Sequence, residues 1–258
     1  MIDSHCHLDF KEFNGRQEQI IKDALTAGVH TLINIGADLD TSRNSVDLAN
    51  KYECVYAAVG VHPHDARKYN GQTDIELIQL SENKRVVAIG EIGLDFYRDL
   101  SPRDQQKRIF RRQLDIAIDR KLPVVIHSRD SFRETVDIIK EYTGRLIGAV
   151  FHCFPGTVRD AREVIDLGCN IGIGGVVTYP GSKMAQVAAE IPLESMLLET
   201  DCPYLTPIPY RGKTNQPAYL SYIRDEIAEV RGISPQEVDK ITDRNSRKFY
   251  RLVEVFGG

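Results

Sequence analysis

At 258 residues, with 42% hydrophobic and 27% charged residues, the chain has the composition of a folded globular protein, which leaves no compositional argument for disorder. A formal net charge of −4 excludes a general electrostatic attraction to nucleic acid or to anionic membranes, although a site holding divalent ions would bring its own positive charge to a phosphate. No run reaches the ~18 consecutive apolar residues of a membrane span and no basic, apolar leader opens the sequence, so no membrane association and a cytoplasmic location are expected.

In chain order, short apolar β-branched runs alternate with longer amphipathic segments, the pattern of repeated βα units around a parallel sheet. Strands are expected to begin near Met1, Val29, Cys54, Val86, Pro123, Ile147, Asn170 and Met196. Eight such runs suit a closed α/β barrel, and the length fits one. Residues 16–27 carry Ile20, Ile21, Ala24 and Leu25 at helical spacing, and 102–120 carry Ile109, Phe110, Leu114 and Ala117, so both faces should pack on the sheet. Gly28 and Gly168 follow helical patterns and precede strands, where a residue able to take positive φ ends a helix cheaply. Gly172, Gly174 and Gly175 crowd the end of the seventh strand. A tight turn is favoured there over a phosphate loop, and Val177 in place of a third glycine rules out a dinucleotide motif. Residues 203–217 hold four prolines and should form a stiff loop. A helical stripe over 219–230 and a last helix over 235–255 then close what reads as a single domain, 1–258, with no repeat or linker to divide it.

Chemistry is concentrated in the histidines. Of the seven, His5, His7, His62, His64, His127 and His152 fall at or just beyond the C-terminal ends of expected strands, and only His30 at a strand start. The carboxyl ends of the strands form the active face of a βα barrel, so this bias gathers imidazoles at one mouth. His5 and His7 are two apart on an extended segment, which turns both rings to one side. Glu91 and Asp201 finish the fourth and eighth apolar runs, where a buried carboxylate needs a cation. Glu199 shares the parity of Asp201 but lies deeper and reads as a hydrogen-bond acceptor supporting a ligand.

Four imidazoles (His5, His7, His127, His152) and two carboxylates (Glu91, Asp201) are generous for one ion and suited to two divalent ions ~3.5–4 Å apart, clamping the attacking and leaving oxygens of a hydrolysis. Nitrogen and oxygen ligands suit zinc, manganese, iron or magnesium without choosing among them. The five cysteines, Cys6, Cys54, Cys153, Cys169 and Cys202, lack C-x-x-C spacing and are expected to be reduced and mostly buried. Three of them directly follow proposed ligands, so alternation should point them toward the helices. At the mouth, His62 and His64 are expected to donate to a substrate phosphate, and Tyr97, Arg98 and Arg129 to position a phosphate or stack on a base; for each a plain loop or surface residue is an equal reading.

These residues carry a family resemblance. His5-Cys6-His7-Leu8-Asp9, Gly60-Val61-His62-Pro63-His64, Gly90-Glu91-Ile92-Gly93-Leu94-Asp95, Ile126-His127-Ser128-Arg129, His152-Cys153-Phe154 and Glu199-Thr200-Asp201-Cys202-Pro203-Tyr204-Leu205 resemble, in order and over the whole chain, the motifs of the TatD family of metal-dependent deoxyribonucleases within the amidohydrolase superfamily. The resemblance implies a TIM-type (β/α)8 barrel and divalent-metal-dependent phosphodiester hydrolysis that removes nucleotides from the 3′ end of DNA. It further implies that His5, His7 and Asp201 hold the first ion, His127 and His152 the second, and Glu91 both, in the place of the modified lysine common in the superfamily. Asp201 would help take the proton of the attacking water. The same ion pair could serve hydrolysis of a small amide or ester, or of the ester at the 3′ end of a charged transfer RNA, and a non-catalytic barrel scaffold ranks last because all six positions are intact. Oligomeric state is not legible from sequence.

Overall fold

The computed structural model describes residues 1 to 252. Eight parallel strands pair in sequence order: β1 (Ile2–Cys6), β2 (Thr31–Ile35), β3 (Val55–Val59), β4 (Val86–Asp95), β5 (Val124–Arg129), β6 (Ala149–Phe151), β7 (Asn170–Ile173) and β8 (Met196–Leu198). Each begins within two residues of its expected start. The ring closes just beyond β8, where the Asp201 amide donates to the His5 carbonyl and the His7 amide to the Cys202 carbonyl, both at 2.9 Å. The fold is the expected TIM-type barrel.

Around it lie α1 (Gln17–Thr26), α2 (Leu39–Lys51), α3 (Gly71–Leu80), α4 (Arg103–Arg120), α5 (Phe132–Glu141), α6 (Val158–Asp166), α7 (Lys183–Glu190), α8 (Leu220–Arg231) and α9 (Pro235–Tyr250). The α4 stripe of Ile109, Phe110, Leu114 and Ala117 is buried, as its spacing predicts. On α1 only Ile20, Ile21 and Ala24 are buried, and Leu25, expected on the same face, is 47% exposed. At about 100° per residue it lies about 90° round from the middle of that face. Gly28 and Gly168, each at φ +83°, follow α1 and α6 as expected. The end of the last helix at Val255 lies outside the described residues; α9 as described stops at Tyr250, followed by Arg251 in the left-handed region. Among the described residues no helix is long and apolar enough to cross a membrane.

Two apolar layers result. The larger joins the outer faces of the strands to the helices and includes Leu32, Val55, Ile89, Phe110 and Leu114. Burying each such side chain contributes roughly 1.5–3 kcal/mol. The smaller fills the barrel itself with Ile2, Ile33, Ile35, Ala58, Val87, Ala88, Val125, Val150 and Leu197, against Phe249, Tyr250 and Leu252 beyond it. Tyr250 is buried and its hydroxyl donates to the Ser4 carbonyl at 2.8 Å, tying the last helix to the first strand.

The strand pairing shifts at three places, between β1 and β2, β3 and β4, and β4 and β5, and the first and last of these bear on the histidines and Glu91. Ile2 belongs to the inner layer, so unbroken alternation would turn Ser4 and Cys6 inward and the histidines out; the β1–β2 pairing shifts between Asp3 and Cys6, and Cys6 packs in the outer layer. In β4, Ala88 is inner and Ile89 outer, yet the pairing with β5 shifts between Ile89 and Ile92, and Glu91 faces the histidines. An irregularity of this kind re-aims side chains at the cost of local ladder bonds. Gly93 lies just beyond, at φ +142°, where a Cβ would stand 2.0 Å from the His127 carbonyl oxygen. Only glycine lets β4 approach β5 this closely.

Candidate metal centre

The C-terminal end of the barrel is polar where the other end is apolar. His5, His7, Glu91 and His152 are each no more than 5% exposed. Buried groups of this charge need partners, and among the described residues neither Glu91 nor Asp201 pairs with a lysine or arginine; histidines alone surround them.

The two oxygens of Glu91 face different sets. Oε2 lies 3.6 Å from His5 Nε2 and 3.9 Å from His7 Nε2, and Asp201 Oδ1 lies 3.7 and 3.5 Å from the same two nitrogens. Oε1 lies 2.8 Å from His127 Nδ1 and 3.0 Å from His152 Nε2. His5–His7–Glu91 and Glu91–His127–His152 are each compact enough to hold an ion, as is His5–His152–Asp201. The structure thus brings together all six residues expected to be ligands. Two expectations about their placement change. Glu91 does not finish its strand, since β4 runs four residues further to Asp95, and Asp201 lies beyond β8 with a left-handed backbone at φ 53°.

Proton bookkeeping supports a cation. His7 Nδ1 lies 2.9 Å from the Ile35 carbonyl and donates to it, which leaves a lone pair on Nε2, itself 3.2 Å from His5 Nε2. Both ring nitrogens of His127 face carboxylates, Nε2 at 3.0 Å from Asp95 Oδ2 and Nδ1 at 2.8 Å from Glu91 Oε1, and a neutral ring has one proton for the two. Acceptors aimed at acceptors repel unless a proton or a metal ion lies between them.

Without metal, protons fill that role. Burial opposes charge on His152, but Glu91 and then Glu199 outweigh it and hold its pKa well above the ordinary histidine value. His127 is raised against the same burial by Asp95 and Glu91, and His7 by Asp201. Burial likewise opposes the Glu91 charge, yet His152 and His62 keep its pKa well below the carboxylate range. His5 and His62 go the other way, pushed well down by burial and then by the neighbouring His152 and His127 respectively. A divalent ion must displace the protons on the raised group. Because those pKa values are raised above the ordinary histidine value, ion affinity should climb with pH throughout the range below them and level off once they are passed. Titration calorimetry at pH 7 in buffers of different ionisation enthalpy should show proton release, growing as pH is lowered; ion binding with no release would contradict this.

The remaining expected residues lie around the centre. His62 Nε2 is 3.7 Å from Glu91 Oε1, and its Nδ1 accepts the His64 amide at 3.2 Å. His64 turns its Nε2 to Asp95 Oδ2 at 3.0 Å. The Arg129 guanidinium lies 3.9 Å over the ring of Tyr97, which is 60% exposed, and among the described residues Arg129 has no carboxylate partner. Arg98 is exposed and its amide donates to Asp95 Oδ1 at 2.8 Å. Glu199 accepts the Cys153 amide and stands 3.6 Å from His152 Nδ1, close to its expected supporting place. A Cβ on Gly172 would stand 2.2 Å from that carboxylate, so this glycine makes room for Glu199, while Gly175 opens a 3-10 turn to Thr178.

Cys6 and Cys202 pack in the outer layer, as expected, and all five cysteines are free. Cys153 departs from the expectation. It lies past the end of β6 at φ 43° and is only partly buried, so strand alternation does not apply to it. Its thiol is pushed up to about 12 by burial. Three residues at the site went unassigned in sequence. Asp95 shares the parity of Glu91 on the same strand, which was a usable signal. Phe10 stacks on His7 with centroids 4.5 Å apart, and Tyr204, 51% exposed, meets Phe10 edge-on at 6.0 Å; an aromatic three residues past a candidate ligand is the only clue in the sequence.

Comparison with known proteins agrees with this geometry. The profile of the TatD related DNase family matches residues 2–251. The chain is 37% identical to a metal-dependent hydrolase of Bacillus subtilis (strain 168), YabD, over 98% of this chain and 99% of that one. It is 36% identical to the 3′-5′ ssDNA/RNA exonuclease TatD of Citrobacter koseri, over 98% and 99% respectively. The crystal structure of YJJV, a TatD homologue from Escherichia coli K12, superposes with a TM-score of 0.92 at 33% identity, covering 98% of each chain.

Proposed function

The chain belongs to the TatD-related DNase family of metal-dependent hydrolases, and from that premise we propose that it is a two-metal 3′-5′ exonuclease acting on single-stranded DNA through one barrel domain, 1–258. The observation that carries the two-ion reading is the division of the Glu91 oxygens between two sets of imidazoles. His5, His7 and Asp201 would hold one ion, His127 and His152 the other, and Glu91 would contribute to both; magnesium, manganese and zinc all suit these donors. Bound there, the ions supply positive charge to the phosphate oxygens and acidify the attacking water.

The protein's own groups do the rest. Asp201, at the solvent edge of the centre with its side chain 13% exposed, accepts the proton of the attacking water. His62 keeps its proton on Nε2, since Nδ1 is an acceptor, and donates to a phosphate oxygen. Tyr97 and Arg129 form a stacked cationic pair at the rim and hold the penultimate nucleotide by stacking and charge. The acidic chain as a whole is no obstacle, because this positive charge is local to the mouth.

Single-stranded DNA labelled at either the 3′ or the 5′ end tests the reading. Immediate release of the 3′ label, abolished by chelator and restored by manganese, magnesium or zinc, is expected. Failure of all three ions to support degradation would sink the nuclease assignment, and chelator-sensitive cleavage of small esters in its place would favour the amidohydrolase alternative. Arg129→Ala should raise KM for an oligonucleotide about tenfold, the scale of a lost base stack or charge contact. A small phosphodiester that does not reach the rim should be hydrolysed as before, and equal losses on both substrates would place Arg129 elsewhere.

A further inference from the structure

Asp95 is fully buried at the end of β4 and its carboxylate meets four N–H groups. Oδ1 accepts the backbone amides of Tyr97 at 3.0 Å and Arg98 at 2.8 Å. Oδ2 lies 3.0 Å from both His64 Nε2 and His127 Nε2. Its main chain is clasped by the buried Gln106, whose Oε1 accepts the Asp95 amide at 2.9 Å and whose Nε2 donates to the Asp95 carbonyl at 3.2 Å. A carboxylate fixed on every side has little freedom to turn.

Asp95 also forms, with His62 and His127, a third group compact enough to hold an ion, so a third cation is the first reading to weigh. Imidazole chemistry argues against it. A neutral imidazole has one lone pair, and His127 directs Nδ1 at Glu91, 2.8 Å away. A ring that binds through Nδ1 keeps its proton on Nε2, and an N–H aimed at a carboxylate oxygen is a hydrogen bond and not a ligand. His62, for its part, has Nδ1 occupied by the His64 amide.

We propose that Asp95 is a positioning residue, which fixes the Nε2–H tautomer of His127 so that the Nδ1 lone pair faces the metal centre, and which couples that ligand to the rim backbone at Tyr97 and Arg98. The proposal rests on the two-ion reading of the centre. His64 is the second donor that holds Oδ2 in place. One carboxylate thereby sets both the second ion position and the path of the loop that carries the rim aromatic.

Asp95→Asn is the informative change because it preserves shape. An amide has one oxygen, and whichever half of the site receives the NH2 group then has donors facing donors. If NH2 meets the imidazoles, His127 relieves the clash by moving its proton from Nε2 to Nδ1, which removes the lone pair that faces Glu91. The expected result is loss of one of two bound manganese ions per chain, or at least ~10–100-fold weaker binding of that ion, the other being retained. Nitrogen-15 spectra of the metal-free protein, at a pH where the ring is neutral, should show His127 as Nε2–H in the wild type and Nδ1–H in the variant. A loss of packing alone would not exchange the tautomer. His64→Ala leaves the Asp95–His127 contact in place and should keep it. The proposal is overturned if wild-type His127 is Nδ1–H, or if Asp95→Asn shows His127 as Nδ1–H and still binds both ions with wild-type affinity. The wild-type tautomer decides even if the variant does not fold. A wild-type protein that binds fewer than two ions while showing Nε2–H would defeat the two-ion reading and leave the tautomer assignment standing.

Discussion

Glu91→Gln is expected to lower kcat/KM on 3′-labelled DNA by at least ~10³-fold, roughly 4 kcal/mol of transition-state stabilisation, and to weaken both bound ions together. The amide keeps one oxygen where the centre uses two, one toward His5 and His7 and the other toward His127 and His152. Its NH2 group would occupy a place that two ions require to be negative. No water can substitute, because Glu91 is only 4% exposed. Equilibrium dialysis with manganese would separate this from a purely catalytic loss: a variant that holds two ions at wild-type affinity would show that Glu91 does not bridge them.

Asp201→Asn should behave differently. The amide oxygen can still face the first ion, but it cannot accept a proton, so turnover should fall ~10²–10³-fold while ion content stays close to two. Asp201 stands beyond β8 with its side chain 13% exposed, against 6% for that of Glu91, which gives it access to water that Glu91 lacks. Near-normal turnover with unchanged ion content would remove Asp201 from the proton transfer.

The barrel was legible because its evidence is local and repeated. Eight β-branched runs between amphipathic stretches can hardly be anything else, and each was placed within two residues of its start. The six candidate ligand positions, which the structure brings together, stand out in the sequence because histidine and carboxylate at strand ends are chemically conspicuous. What escaped was long-range or irregular. The pairing shifts at Asp3/Cys6 and Ile89/Ile92 leave no compositional trace, so the parity of His5 against Ile2 could not be read even though the relation of His5 to His7 could. Asp95 escapes because the apolar run of β4 gives out at Glu91, four residues short of the strand's end. Its partners His64 and His127 come from 31 and 32 residues away. Leu25 was misplaced for a plainer reason: a hydrophobic residue near a stripe need not be on it.

The bond from the Tyr250 hydroxyl to the Ser4 carbonyl bears on when this enzyme becomes one. Ser4 immediately precedes His5, and the residue that steadies it from below is 246 positions later. A nascent chain can have made every one of the six ligands, through Asp201, while the floor beneath them is still untranslated. If the proposed activity needs that support, a chain cut short between β8 and α9 should lack it even though it carries all six candidate ligands.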